Sequence, residues 1–551
     1  MRDKLRAQPA VMLALGILLA VVLLGLIAPM AALLIKAGDF EPVYRGFAEV
    51  LGSATARKAL WNSTWISLAA SFIAVGFAFF FAYIVEIKLE GRRQKAFRLL
   101  AVVPMLVPSI THGITIVYLF GKMGLVTRLI GFQLPIYGPL GIILGSFFYA
   151  FPIAFLVLSQ GLANLDGRLF ENAVILGVSP ARRFGGIVLP IMKYAVFSAF
   201  AVCFTMIFTD YGIPLSVGGT YPILPILFYK NVVGMLDFGR GAIYSTMILL
   251  PAAVVYLLDI LVFSKKQVSS RHNRVRVRSG PFHSVQKGVF IAVCAILVTP
   301  LVIIAAAPFI TAWPYDLTPT VAHFARILRA GRLLRLTGTS VLVALMTGVL
   351  GTALAFLAGY VYIRHRGAPR RLKQVTHGLY MVSLAVPGLA LGLAYALFFR
   401  GTPLYNTLAI LVMVNIVHFF GSPYMMVISH FKLLNPNLEA ICRSLGGKGR
   451  HVLVDVLLPN SRKMLLDVFV YFFTNSMITI SAVSMLYTTK SMTLALQITA
   501  YSDQGTWESA VAVSLMILVI NVGMRMLQNV RLDKKMRGDA PLPPVAAGVG
   551  D

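Results

Sequence analysis

The sequence predicts an all-α membrane protein of about twelve transmembrane helices, arranged as two tandem six-helix halves. Three observations predict it: a composition too apolar for a wet surface, about twelve separate apolar stretches of spanning length, and an internal repeat. Of the 551 residues 58% are hydrophobic and 13% charged, and the mean hydropathy is +0.82. A soluble chain carries about 25% charged residues, so the excess apolar side chains must face lipid.

A helix needs roughly 20 apolar residues to cross the bilayer core. Such stretches lie near 10–35, 60–85, 98–120, 139–163, 194–214, 241–263, 288–311, 338–362, 377–399, 407–431, 465–487 and 509–529. In lipid every backbone N–H and C=O must be paired within its own segment, which favours helices. The first stretch follows a basic start but is longer than the 7–15 residues of a cleavable signal core, so an uncleaved span is expected. Cys203, Cys294 and Cys442 fall in spans or loops in a pattern that implies neither a disulfide framework nor a metal cluster.

The formal net charge is +29, which in a soluble chain would suggest nucleic acid. Its distribution points to membrane topology instead. With Arg2, Lys4 and Arg6 in the cytoplasm, the cytoplasmic segments hold 35 of the 49 Lys and Arg. That bias places both termini inside and implies membrane lipid, not nucleic acid, as the neighbour. Arg326, Arg329, Arg332 and Arg335 fall on the outer side, against the pattern. An amphipathic helix lying at the interface would hold them.

The repeat is legible without gaps. Glu171-Asn-Ala173-Val-Ile-Leu-Gly177 with Leu189-Pro190 returns, 269 residues on, around Glu439-Ala440, Gly446 and Leu458-Pro459. Gly to Pro is 13 residues in both copies. Phe151-Pro152 matches Ser422-Pro423, Val107-Pro108 matches Val386-Pro387, and Ala82-Tyr83 matches Gly359-Tyr360 at nearly the same offset. Two six-span copies have an even number of spans each, hence parallel halves related by an axis along the membrane normal. The expected organisation is a first half at 1–264, a basic linker at 265–287, a second half at 288–530 and a tail at 531–551.

Both copies lie between the fourth and fifth spans of their half, at about 166–192 and 435–461. They resemble the EAA loop of ABC importer permeases, in which Glu-Ala-Ala is followed by Gly and then by Ile-x-Leu-Pro. The first copy keeps Glu171, Ala173, Gly177, Ile187, Leu189 and Pro190 and departs at Asn172. The second has Glu439 one place early, Ala440 where Glu is expected, and Ile441 and Cys442 for the alanines, while Gly446, Leu458 and Pro459 remain. The resemblance implies a fused permease whose loops dock on two copies of an ABC ATP-binding subunit, Glu171 forming an ion pair there. It also implies a periplasmic binding protein that delivers solute, and alternating access driven by ATP. This chain itself would be no enzyme and hold no cofactor, ATP and Mg being on the partner subunit. Consistent with that, Gly446-Gly447-Lys448-Gly449 is no phosphate loop, since Cys442 stands in the place of its first glycine.

Ionisable groups inside spans are costly and often functional. The candidates are His112, Asp210, Asp259, His418 and Asp467, of which Asp259 and Asp467 lie near cytoplasmic ends as interfacial anchors. His112 follows Pro108-Ser109 where the third helix could open toward a pore, the alternative being a packing histidine. Thr209-Asp210-Tyr211-Gly212-Ile213-Pro214 interrupts the fifth span, with Asp210 either on the substrate path or capping a helix. Its counterpart holds Ser481 and Ser484 and lacks the acid. The segment resembles that of permeases grouped with 2-aminoethylphosphonate importers, relatives of the ferric-iron permeases, so 2-aminoethylphosphonate is the expected solute and ferric iron the alternative. A secondary transporter also has six-plus-six parallel halves, but its motifs belong between the second and third spans, where Glu86–Arg98 is merely basic. A membrane enzyme would need clustered His, Asp and Glu at one face, a pattern the sequence does not offer.

Overall fold

The computed structural model describes residues 9–39, 43–163, 165, 167–258, 284–329, 332–364, 369–435, 437–447 and 449–538. Arg2, Lys4, Arg6, Asp259, most of the expected linker (265–283) and the end of the tail (539–551) lie outside the described residues. The described chain is helical almost throughout, apart from one short hairpin, Ile310–Ala312 against Asp316–Pro319.

Among the described residues nine helices are long and apolar enough to cross a membrane, and a tenth is a pair, Leu408–Phe419 and Gly421–Leu433, bent by 55°. The count falls short of twelve for two physical reasons. The ninth stretch is divided by Val386-Pro387 into Arg370–Val382 and Gly388–Phe398, because the residue before a proline is pushed out of the helical region. The eleventh, Leu458–Ile478, carries Arg462, Lys463 and Asp467 and ends before the expected 487. Its chain leaves the helix at Thr479 and enters turns, so the run 480–487, largely buried up to Leu486, is irregular backbone rather than span.

The repeat is carried into three dimensions. Helical ladders widen into π-turns at the ends of the second and eighth spans, Ile84–Lys88 and Tyr360–Arg364. They widen again on the way into the fifth and eleventh, Phe184–Val188 and Val452–Leu457. Pro190 and Pro459 follow directly. A proline inside a helix lacks an N–H and clashes with the carbonyl four residues back, and the wider turn absorbs both defects. The helix therefore runs through Leu-Pro and starts before the stretches expected at 194–214 and 465–487.

Each half packs its second, fourth and fifth spans together, and their equivalents in the second half do the same. The first spans are exchanged. Ala28–Ala37 packs on Gly388–Phe398 of the second half, and Ser284–Ala306 packs on Ser109–Phe120 and Gly91–Val102 of the first. Phe290 stacks on Phe81 at 5.0 Å, so one core contains both halves' residues. Beside the first spans lie two short amphipathic helices, Val43–Gly52 and Ala322–Arg329. The second buries His323 and Ile327 and exposes Arg326, which gives the arginine-rich segment its amphipathic helix, while Arg332 opens the eighth span and Arg335 is exposed.

Candidate functional site: paired loops and broken spans

Each repeated loop forms a short helix between the fourth and fifth spans of its half. The first forms Gly167–Ile175 and the second Asn437–Ser444. Both end in one hydrogen-bond pattern. Gly177 N–H donates to Val174 O at 3.0 Å and Val178 N–H to Ala173 O at 2.9 Å; Gly446 N–H donates to Arg443 O at 3.0 Å and Gly447 N–H to Cys442 O at 2.9 Å. This is the Schellman arrangement, which requires a left-handed residue just past the helix. Gly177 and Gly446 supply it, with φ of +67° and +80°. Leu176 and Leu445 immediately before them are 78% and 83% exposed. Each loop thus presents a bare leucine on a rigid turn, 269 residues apart.

The remaining motif residues divide by role. Glu171 and Ala440, equivalent by position, are exposed, whereas Ala173 is buried. Leu189 faces outward at the foot of the fifth span; Leu458 and Pro459 are partly covered in the eleventh. Glu439 does not point away from the bundle. It pairs with Arg364 at 3.4 Å, both side chains nearly buried, and Arg364 also donates to Phe431 O at 2.8 Å and Leu434 O at 2.5 Å. Sequence reasoning missed this staple, since a pairing across 75 positions leaves no spacing signal.

At the breaks in the spans, Asp210 is the first residue past the helix Leu189–Thr209. Its carboxylate accepts from Ile213 N–H at 2.9 Å and from the Ser109 hydroxyl, so it does cap the short helix Gly212–Val217. His112 is fully buried; its Nε2 donates to Pro104 O at 3.0 Å, which fixes the tautomer and leaves Nδ1 without a partner among the described residues. Ser481 lies against Gly388, where a Cβ would collide with its Oγ. Ser109 stands in the same relation to Gly212, so the halves exchange which partner bears the hydroxyl. His112 and Asp210 thus share one region through Ser109, while Ser481 belongs to the equivalent contact of the other half. After each break a short helix is held by a serine of the second or eighth span: Leu224 N–H donates to Ser63 Oγ at 2.9 Å, and Leu494 N–H to Ser340 Oγ at 2.7 Å. Those serines are 277 residues apart, the offset of Tyr83 and Tyr360, and could have been found in the sequence.

The model of the family described as "Binding-protein-dependent transport system inner membrane component" matches twice, at residues 74–272 and 351–538. The chain belongs to this family. The double match agrees with the doubled loops and places the chain among two-half permeases. It is similar to the ferric transport system permease protein FbpB of Actinobacillus pleuropneumoniae, 22% identical over 86% of this chain and 70% of that protein. It is also similar to the molybdenum transport system permease protein ModB of Mycobacterium tuberculosis, 26% identical over 32% of this chain and 67% of that protein. Among the described residues no group of three or more His, Cys, Asp or Glu could hold a metal ion.

Proposed function

We propose that this permease moves a small polar solute inward across the bacterial inner membrane, powered by ATP hydrolysis on two copies of a separate ATP-binding subunit. The paired loops carry the reading. The two Gly-terminated turns expose apolar groups together, Val174, Ile175 and Leu176 in the first loop and Ile441 and Leu445 in the second, as surfaces that meet a partner do. Each subunit would cover one loop, with Glu171 at the rim of its groove. The loop end, and both termini, then face the cytoplasm, in keeping with the basic loops. A periplasmic binding protein would release solute at the opposite end. ATP-driven closure of the subunits would draw the loops together and turn the cavity outward.

For the solute, ferric iron is supported by the FbpB relative, whose similarity runs through both halves. 2-Aminoethylphosphonate is the second reading, favoured by the segment Thr209–Pro214. Uptake of labelled ferric iron and of labelled 2-aminoethylphosphonate, in cells with and without this gene, separates them. Loss of one uptake alone identifies the solute, and no loss of either removes both. Leu176→Asp with Leu445→Asp should abolish co-purification of the ATP-binding subunit while the permease still inserts. Retained co-purification would sink the docking assignment.

A further inference from the structure

At their equivalent breaks the two halves differ in polarity. Asp210 and Thr479 are the equivalent residues that leave the fifth and eleventh spans, with nearly the same backbone angles. By the offsets of the surrounding landmarks, Ser109 corresponds to Gly388, His112 to Leu391, Tyr149 to Phe420 and Tyr211 to Ile480. His112, Tyr149 and Tyr211 thus have apolar counterparts, the carboxylate of Asp210 is replaced by the hydroxyl of Thr479, and only the serine hydroxyl is kept, as Ser481.

The five polar residues are also neighbours in space. Ser109 donates to Asp210; the ring of His112 lies 6.5 Å from that of Tyr149; and Tyr149 stands within electrostatic reach of both Asp210 and Tyr471 of the other half. Tyr211 stacks on Tyr229 at 5.3 Å, and its hydroxyl is bonded to Ser484 across the junction of the halves. His112 Nδ1 is buried with no partner among the described residues. Asp210 is in no ion pair with a lysine or arginine among them. A carboxylate ringed by phenols, with no protein cation to neutralise it, suits a positive charge.

We propose that solute recognition is one-sided: Ser109, His112, Tyr149, Asp210 and Tyr211 of the first half form a site for the cationic part of the solute, and the second half closes over it. This rests on the importer reading above. The shared chemistry is a positive charge met by oxygen donors and the free ring nitrogen of His112, whether the ammonium of an aminoalkylphosphonate or a ferric ion.

The test uses the whole importer, permease with ATP-binding subunits and binding protein, in proteoliposomes. Asp210→Asn removes the charge yet can still cap Ile213, since Asn caps as well as Asp. Its KM should rise about tenfold or more, as expected for a lost hydrogen bond to a charged group. Tyr149→Phe should act in the same direction and covers the case in which the Asn variant fails to fold. If the solute is the aminophosphonate, methylphosphonate, which lacks the amine, should be insensitive to Asp210→Asn; if it is ferric iron, iron uptake should show the rise. An unchanged KM in both variants would overturn the proposal alone. Wild-type complex that hydrolyses ATP but takes up neither solute would overturn the substrate reading and the cation site with it.

Discussion

At the scale of single residues, the loops hold two devices of different kinds. Gly177 and Gly446 are needed for backbone geometry and not for room, because a Cβ at either meets nothing within 4 Å. The cost of an ordinary side chain there is the left-handed conformation, about 1 kcal/mol per site. Asn tolerates that conformation and Val does not. The double change of both glycines to Asn should therefore keep the ratio of solute moved to ATP hydrolysed near normal, and the double change to Val should lower it. A Val variant with normal stoichiometry would show that the turn does not transmit force. The second device is Glu439 with Arg364, which ties one loop to the foot of the eighth span. Glu439→Gln leaves a nearly buried guanidinium short of its counter-charge, at a cost of ~1–3 kcal/mol. Hydrogen exchange should quicken over 437–447 and stay unchanged over the first loop, where Phe170 holds the equivalent position.

At the scale of elements, the second and eighth spans anchor the short helices that follow the breaks. Ser63 and Ser340 each accept a backbone N–H that would otherwise be orphaned at a buried helix start. Changing either serine to Ala should cost about 1 kcal/mol and speed exchange in Leu224–Tyr229 or Leu494–Asp503 respectively, each without effect on the other. Equal effects in both halves from one change would mean that the two units do not move independently. Legibility in the sequence follows the same physics. Loops that repeat at a fixed spacing, apolar stretches of bilayer length and the prolines that mark breaks are local signals, and they located the halves and the Schellman glycines. The polar eleventh helix and the prolines at 190 and 459 misled, because hydropathy averages over burial and because a π-turn lets a helix pass a proline. The Asp210 segment was legible as unusual and its cap on Ile213 is a local bond, but its contact with Ser109 depends on the chain folding back across a separation of 101 positions, which no pattern encodes.

At the scale of the whole molecule, the exchange of first spans explains why the two halves act as one body. Leu26 and Leu33 are buried, and Gly25 sits so close to Val417 and Tyr395 that a side chain there would clash. In the other direction Phe290, Val293 and Leu297 are buried in the first half's core. Polar groups cross as well: Thr111 shares a hydrogen bond with Ser514 at 2.9 Å, and Asn521 donates to Leu106 O at 2.9 Å. In lipid the apolar driving force between helices is weak, so close packing and buried hydrogen bonds carry association. Removing one half should therefore strip the other of a packed helix and of two bonded polar partners, not merely of a neighbour. The chain cut between 264 and 284 should be recovered as a stable complex when both pieces are co-expressed, and either piece alone should be degraded or aggregate. The change Gly25→Leu should weaken that complex, since it pushes the first span off Val417 and Tyr395 of the second half. The readout is the fraction of one tagged piece that carries the other through detergent purification. Full recovery of the pair bearing Gly25→Leu would mean that the first span contributes nothing to holding the halves together, and the covalent linker would then have to do so.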